Sequence, residues 1–332
     1  MSVTYTSVGW TKSKKLYDAT IAVGLALYLA VFVAVGLAAH PDATAETIVI
    51  RGLATAAFFL LHVILSIGPL CRLNPKFLPL LYNRRHLGVT MFLVALAHAA
   101  FATFQFHALG NVSPLVSLLT TGTGFQTLGL AALLIFFVLA ATSHDFWLAN
   151  LTAPVWKALH MGVYAAYGLV VLHVAFGALR SEARPAMAIA TAVGLAWLLT
   201  LHVAGALREK AGDRDAPLTD GWIDAGPASE IPEGRAKIVC EGERIAIFRY
   251  DGKISAVSNL CRHQNGPLGE GRLIDGCITC PWHGYQYLPE NGRSPAPFTE
   301  KVATFDVRVT GGRVFVNPIP HPPGTHVEPA HV

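Results

Sequence analysis

The chain has 332 residues, of which 53% are hydrophobic and only 14% charged. Charged residues make up about a quarter of an ordinary soluble domain, so a wholly soluble protein is excluded. The formal net charge is +4 and no basic run with interleaved aromatics occurs, which gives no reason to expect nucleic acid as a partner. Five cysteines form an odd, sparse set that argues against a disulfide framework.

The apolar excess runs from Tyr17 to Leu207, and the remainder has the composition of a soluble domain. An apolar helix needs about 20 residues to cross a hydrocarbon layer of about 30 Å. Six segments reach that length, near 17–39, 50–70, 87–106, 125–142, 156–178 and 186–207. Short polar or proline-containing stretches such as His40-Pro41-Asp42 and Arg184-Pro185 separate them. No small-residue cleavage site follows the first run, which therefore reads as a span and not as a signal peptide.

Lysine and arginine placement sets the expected orientation. Lys12, Lys14, Lys15, Arg72, Lys76, Arg84, Arg85, Lys157, Arg208, Lys210 and Arg214 fall on one side, against Arg51, Arg180 and Arg184 on the other. This bias predicts a multi-pass protein of the cell (inner) membrane, in contact with lipid, with both termini cytoplasmic.

After Leu207 the periodicity changes from helical to alternating. Arg244–Tyr250, Asp251-Gly252 and Lys253–Val257 read as a hairpin with an Asp-Gly turn. Phe305–Thr310, Gly311-Gly312 and Arg313–Val316 repeat the pattern. The expected organisation is a cytoplasmic N-terminus (1–16), a membrane all-α six-helix bundle (17–207), a linker (208–219), a soluble all-β domain (220–318) and a Pro- and His-rich tail (319–332) expected to be disordered.

The β region carries Cys261-Arg262-His263 and, with sixteen residues between, Cys280-Pro281-Trp282-His283. Each half offers one thiolate and one imidazole. A [2Fe–2S] centre with two cysteines on one iron and two histidines on the other needs that set. Zinc is the competing metal for two cysteines and two histidines, but zinc sites usually pair like with like along the chain.

The stretch from Cys261 to Leu273, the stretch Asp275–Gly284 and the loop Gly292–Pro297 closely resemble the Rieske ferredoxin family. The resemblance implies a [2Fe–2S] cluster held by Cys261, His263, Cys280 and His283, with the proline-containing loop covering it. Respiratory members of that family carry an extra disulfide in these loops. This chain has Trp282 and the cysteine-free run Gln264–Pro267 there, which fits a reducing compartment. Cys240 and Cys277 read as ordinary strand residues. Where respiratory forms have a serine this chain has Tyr285, and Tyr287 matches their tyrosine. The resemblance thus implies a low to intermediate potential, raised somewhat by Tyr287.

Seven of the fourteen histidines lie in or at the ends of the spans: His62, His86, His98, His107, His160, His173 and His202. An ionisable side chain in a bilayer is a functional candidate, although any one of them is also explained as a neutral imidazole bonded to a neighbouring helix. His160 and His173 are thirteen residues apart, a rise of about 20 Å. His98 and His173 should share the outer half, and His160 the inner half with His62, His86 and His202.

Asn83–Gly88 with Ala95–His98, and Val155–His160 with Val170–His173, look like the ferric-reductase-like transmembrane family, nearest its bacterial branch serving a methionine sulfoxide reductase. That likeness implies b-type heme, one or two, bound through His98, His160 and His173. His86 and His62 are candidate partners, since many members have a histidine where this chain has Arg84. Such proteins feed heme from a flavin- and nicotinamide-binding module, yet no G-x-G-x-x-G follows a strand here.

The expected function is electron transport, as an oxidoreductase component. Electrons would pass from a cytoplasmic donor, a ferredoxin or flavin reductase, through cluster and heme to an outer-face acceptor: a reductase subunit, ferric iron or a quinone. A redox-sensing or assembly module is the alternative. A membrane Rieske oxygenase is a further one, but neither a two-histidine–carboxylate iron site nor histidine boxes are visible.

Overall fold

The computed structural model describes residues 12–332 except 75, 78–79, 81–83, 109, 145–146, 148–150, 152, 183–184, 213–217, 264–265, 282–283 and 297. The chain divides into two compact units, one of residues up to 68 with 83–202, the other of 69–82 with 203–332.

The helices are α1 (Lys12–Ala39), α2 (Ala45–Leu73), α3 (Arg84–His107), α4 (Pro114–Thr121), α5 (Gly124–Ala141), α6 (Ala153–His160), α7 (Gly162–Phe176), α8 (Ala178–Glu182) and α9 (Pro185–Gly212). Among the described residues six stretches are long and apolar enough to cross a membrane, as the sequence predicted, so the protein is a multi-pass membrane protein. Two features escaped the hydropathy pattern. The short α4 starts at an N-cap, Ser113, whose side chain accepts from Val116 N. The fifth span is a chain of segments, α6 to α8, interrupted at Met161 and Gly177.

Large apolar side chains such as Leu27, Phe59, Phe104, Leu134 and Val203 are exposed on the helices, as lipid-facing positions should be. Leu61, Leu65, Met91, Phe92, Phe136, Ala166 and Leu198 fill the interior. Lipid is as apolar as these side chains, so close packing and hydrogen bonding must hold the helices together. Hydroxyls inside the spans are satisfied locally: Ser66 Oγ donates to His62 O (2.7 Å), Thr90 Oγ1 to His86 O (2.9 Å) and Thr191 Oγ1 to Met187 O (2.9 Å). Trp197 Nε1 donates across helices to Ser66 Oγ at 3.0 Å.

The other unit carries the strands β1 (Leu218–Thr219), β2 (Trp222–Pro227), β3 (Ala236–Glu241), β4 (Glu243–Tyr250), β5 (Lys253–Ser258), β6 (Arg272–Ile274), β7 (Cys277–Thr279), β8 (Gln286–Tyr287), β9 (Thr304–Phe305), β10 (Val307–Thr310), β11 (Arg313–Val316) and β12 (Ala330–His331). They form three antiparallel sheets, ordered β1-β2-β11-β10, β12-β5-β4-β3 with β9 also on β5, and β6-β7-β8. Both predicted hairpins form. Their turns have positive φ at both central residues, Asp251 (46°) with Gly252 (69°) and Gly311 (59°) with Gly312 (74°), which suits the twist of the flanking strands. Ile223, Ile245, Ile247, Ile254, Phe305, Val314 and Val316, all fully buried, make the core between the first two sheets.

Three expectations are corrected. The run Phe305–Thr310 is not one strand. It is split at Asp306, so β9 pairs with β5 and β10 with β11. The stretch expected to be a linker is helix up to Gly212 and strand from Leu218, with 213–217 outside the described residues. The tail expected to be disordered is an ordered strap. Its prolines lack donors, but four of the remaining amides find backbone acceptors outside the tail: His321 N to Thr304 O (2.9 Å), Gly324 N to Val302 O (3.2 Å), Val327 N to Glu290 O (2.8 Å) and Val332 N to Gly252 O (3.0 Å). Composition signals weak apolar burial; it does not register backbone bonding of this kind.

Candidate metal centres

Cys261 follows the β5 end and Cys280 follows β7, so two loops present them. Both are buried, 0% and 2% exposed, in one apolar cluster with Tyr285, Tyr287, Leu268, Ile278 and Val302. Local backbone bonds fix each loop. Cys261 N donates to Gly266 O (2.9 Å), Cys280 N to Tyr285 O (2.8 Å) and Gly284 N to Cys280 O (3.0 Å). Tyr287 Oη lies 3.4 Å from Cys261 Sγ and accepts from Arg262 N at 3.0 Å, which leaves its proton for the sulfur. The His263 ring is stacked on Tyr285, centroids 4.8 Å apart and planes 10° from parallel. Burial, and then the Cys261 charge, push the Tyr287 phenol well above its ordinary range.

Buried thiols that share one apolar cluster, with a phenol proton aimed at one sulfur, suit an anionic thiolate centre and fit a [2Fe–2S] cluster. His283 lies outside the described residues, as do Trp282, Gln264 and Pro297 of the same loops. Among the described residues no group of three or more metal-ligating side chains forms. Cys240 lies in β3 and Cys277 in β7, both buried, and burial raises the Cys277 thiol above its usual value.

In the helices, His98 on α3 and His173 on α7 are brought together, with ring centroids 6.3 Å apart and planes at 76°. Each Nδ1 is tied to a backbone carbonyl, His98 to Ile50 O (3.1 Å) and His173 to Phe125 O (2.7 Å). A carbonyl only accepts, so both Nδ1 atoms carry the proton and both Nε2 atoms are free lone pairs. A metal bonded to two imidazoles at about 2.0–2.1 Å each would hold the ring centres roughly 6 Å apart, so the pair fits heme iron. Gly129 on α5 makes room for this arrangement. A Cβ there would stand 2.7 Å from His173 Nδ1, which the Phe125 carbonyl holds in place.

The other span histidines are placed differently. His62 bonds Phe58 O through Nδ1 (2.8 Å) and Tyr167 Oη through Nε2 (3.1 Å), and a Cβ on Gly194 would meet its Nε2 at 2.5 Å. His202 likewise bonds Leu198 O (2.9 Å) and Tyr164 Oη (3.0 Å). His160 bonds Trp156 O (3.0 Å), lies under the stacked Trp156 ring (3.8 Å) and has Ser143 Oγ 3.5 Å from Nε2, with Arg84 in electrostatic reach. His86 Nδ1 bonds the Asp18 carboxylate at 2.8 Å. His107 bridges Ser117 on α4 (3.0 Å) and Gln126 on α5 (3.2 Å). The tyrosine partners had no sequence signal, because Tyr167 and Tyr164 lie 105 and 38 residues from their histidines.

A helical membrane unit and a β unit that buries two thiols in one apolar cluster are the parts a membrane-bound electron-transfer protein needs. Comparison with known families agrees. The Rieske [2Fe-2S] domain model matches residues 221–306 and the ferric reductase like transmembrane component model matches 51–171. The chain thus carries a Rieske-family domain, and in the same polypeptide a stretch that matches the ferric reductase like transmembrane model.

Among its relatives is the ferredoxin component of the naphthalene 1,2-dioxygenase system of Pseudomonas aeruginosa, 35% identical over 102 residues, covering 30% of this chain and 98% of the relative. The 3-phenylpropionate/cinnamic acid dioxygenase ferredoxin subunit of Escherichia coli (strain K12) is 32% identical over 97 residues, covering 29% and 92%. In the solved complex of reduced oxygenase and oxidised ferredoxin in carbazole 1,9a-dioxygenase, one chain matches at 26% identity and a TM-score of 0.30, covering 31% of this chain and 99% of that one.

Proposed function

We propose that the protein conducts single electrons across the cell membrane, from a cytoplasmic donor to an acceptor at the outer face. Cys261, His263, Cys280 and His283 would hold a Rieske cluster and His98 with His173 a b-type heme; each group, when bound, takes up and releases one electron. The chain's own residues set the conditions. Tyr287 stabilises negative charge on the Cys261 sulfur, the Ile50 and Phe125 carbonyls fix the tautomers of the two histidines, and the apolar helices exclude water.

The convergence of His98 and His173 with both Nδ1 protons engaged carries this reading. For a second heme at His160 the support is weaker, since His62 and His202 have both ring nitrogens bonded to other groups. The six spans and the lysine and arginine bias support a cytoplasmic β unit. A ferredoxin or flavin reductase is the donor class. A reductase subunit is the favoured acceptor, by likeness to the methionine sulfoxide reductase branch, ahead of ferric iron or a quinone.

The test is a paired optical and EPR spectrum of the purified full-length protein. Reduced b-heme bands should accompany a Rieske signal, and His173→Ala should remove the heme bands and leave the cluster signal. Fully metallated protein that contains no porphyrin would refute the proposal.

A further inference from the structure

Tyr285 makes a contact that the assigned ligands do not explain. The side chain is 9% exposed and its ring lies face to face with His263. Tyr287 and Phe298 hold that ring from other sides, at 5.5 Å and 4.9 Å. Its hydroxyl donates a hydrogen bond to Glu300 Oε2. The same carboxylate oxygen accepts from Thr299 N at 3.1 Å.

Glu300 is fixed by its loop. Ser294 N donates to Glu300 O (3.0 Å), Phe298 N to Pro295 O (3.1 Å), and Arg293 bridges to Lys301. The strap secures the loop from behind, because Arg293 Nε donates to Gly324 O at 2.8 Å. The carboxylate is therefore held in place at the far end of a phenol whose face covers the His263 imidazole.

We propose that Glu300, acting through Tyr285, is a positioning residue that lowers the reduction potential of the cluster at its His263 side. A hydrogen bond to a carboxylate draws the phenol proton away from its oxygen and makes the ring more electron-rich. An aromatic face already carries negative charge, and this bond increases it beside the imidazole. Adding an electron to an iron held by a nitrogen of that imidazole would then become less favourable. The effect needs the phenol as an intermediary, which distinguishes it from a distant charge. It rests on the assignment of His263 as a ligand.

The experiment is a double-mutant cycle on the full-length protein, with the midpoint potential read by EPR-monitored titration. Glu300→Gln should raise the potential in the presence of Tyr285. In a Tyr285→Phe background the same change should shift it much less, since the hydroxyl that carries the coupling is gone. Glu300→Asp, which keeps the charge, should restore part of the original value and serves as the reading if the Gln variant does not assemble. An unchanged potential in Glu300→Gln, or an equal shift with and without the hydroxyl, would overturn the proposal. Absence of any Rieske signal from the unmodified protein would instead overturn the ligand assignment beneath it.

Discussion

The two candidate centres are built by opposite means. In the β unit, two loops supply residues within a span of 23 positions, from Cys261 to His283, and tight backbone bonds shape each loop. In the helical unit, His98 and His173 stand 75 positions apart, and the carbonyls that orient them come from α2 and α5. A loop-built centre depends on local chain geometry; a helix-built centre depends on packing between distant segments. The first should therefore be sensitive to its ligands, and the second to neighbours that never touch the metal.

The largest expected effect tests the first half of this contrast. Cys261→Ser or Cys280→Ser should abolish the Rieske EPR signal, while the reduced heme bands of the same preparation persist. Simultaneous loss of both would show that the two centres are not independent.

Next comes Gly129→Val, which alters no ligand. Branched carbons placed against the His173 ring should lower heme content about tenfold or more, equivalent to about 1.4 kcal/mol. Gly168→Val on α7, where a Cβ meets nothing within 4 Å, is the matched control and should keep its heme. Equal heme content in the two variants would remove the packing argument.

A smaller effect is expected from Tyr287→Phe. It deletes the proton aimed at Cys261 Sγ, so the midpoint potential should fall while the signal shape is kept. No change in potential would show that the 3.4 Å contact does not stabilise charge on the sulfur.

The smallest effect concerns alkaline pH. Burial raises both the Tyr285 and Tyr287 phenols in the folded state, and a raised phenol favours the protonated fold. Their stabilisation is complete below the unfolded value of about 10 and is lost as pH rises beyond it. Thermal unfolding of the β unit, followed in the full-length protein, should be flat in this respect up to about pH 10 and fall above it. Tyr287→Phe should shallow that fall.

The same contrast explains what could be read from the residues alone. The proposal that Cys261, His263 and Cys280 are ligands could be made from the residues because type, order and spacing are all local, and the six spans were legible because hydropathy is additive along a helix. The Asp251-Gly252 and Gly311-Gly312 turns announced their hairpins for the same reason. By contrast, the pairing of His98 with His173 could be inferred only as shared depth, and the tyrosine partners of His62 and His202 gave no sign. Glu300 was equally silent, because nothing in its immediate sequence indicates that Tyr285 donates to it. The strap misled outright: four prolines at 320, 322, 323 and 329 suggested disorder, yet they leave an extended backbone whose amides donate to neighbouring carbonyls.

That strap has a consequence for how copies of the protein meet. A strand with unsatisfied amides and carbonyls along one margin is a template for another chain. β12 occupies the margin of β5, with Ala330 opposite Ile254 and His331 opposite Lys253. The pairing of Ala330 and His331 should thus cover part of that margin against sheet-to-sheet association between molecules. Cutting the chain after Pro318 should expose that margin and convert a monodisperse detergent-solubilised sample into larger assemblies on size-exclusion chromatography, whereas Ala330→Val, which keeps the pairing, should not.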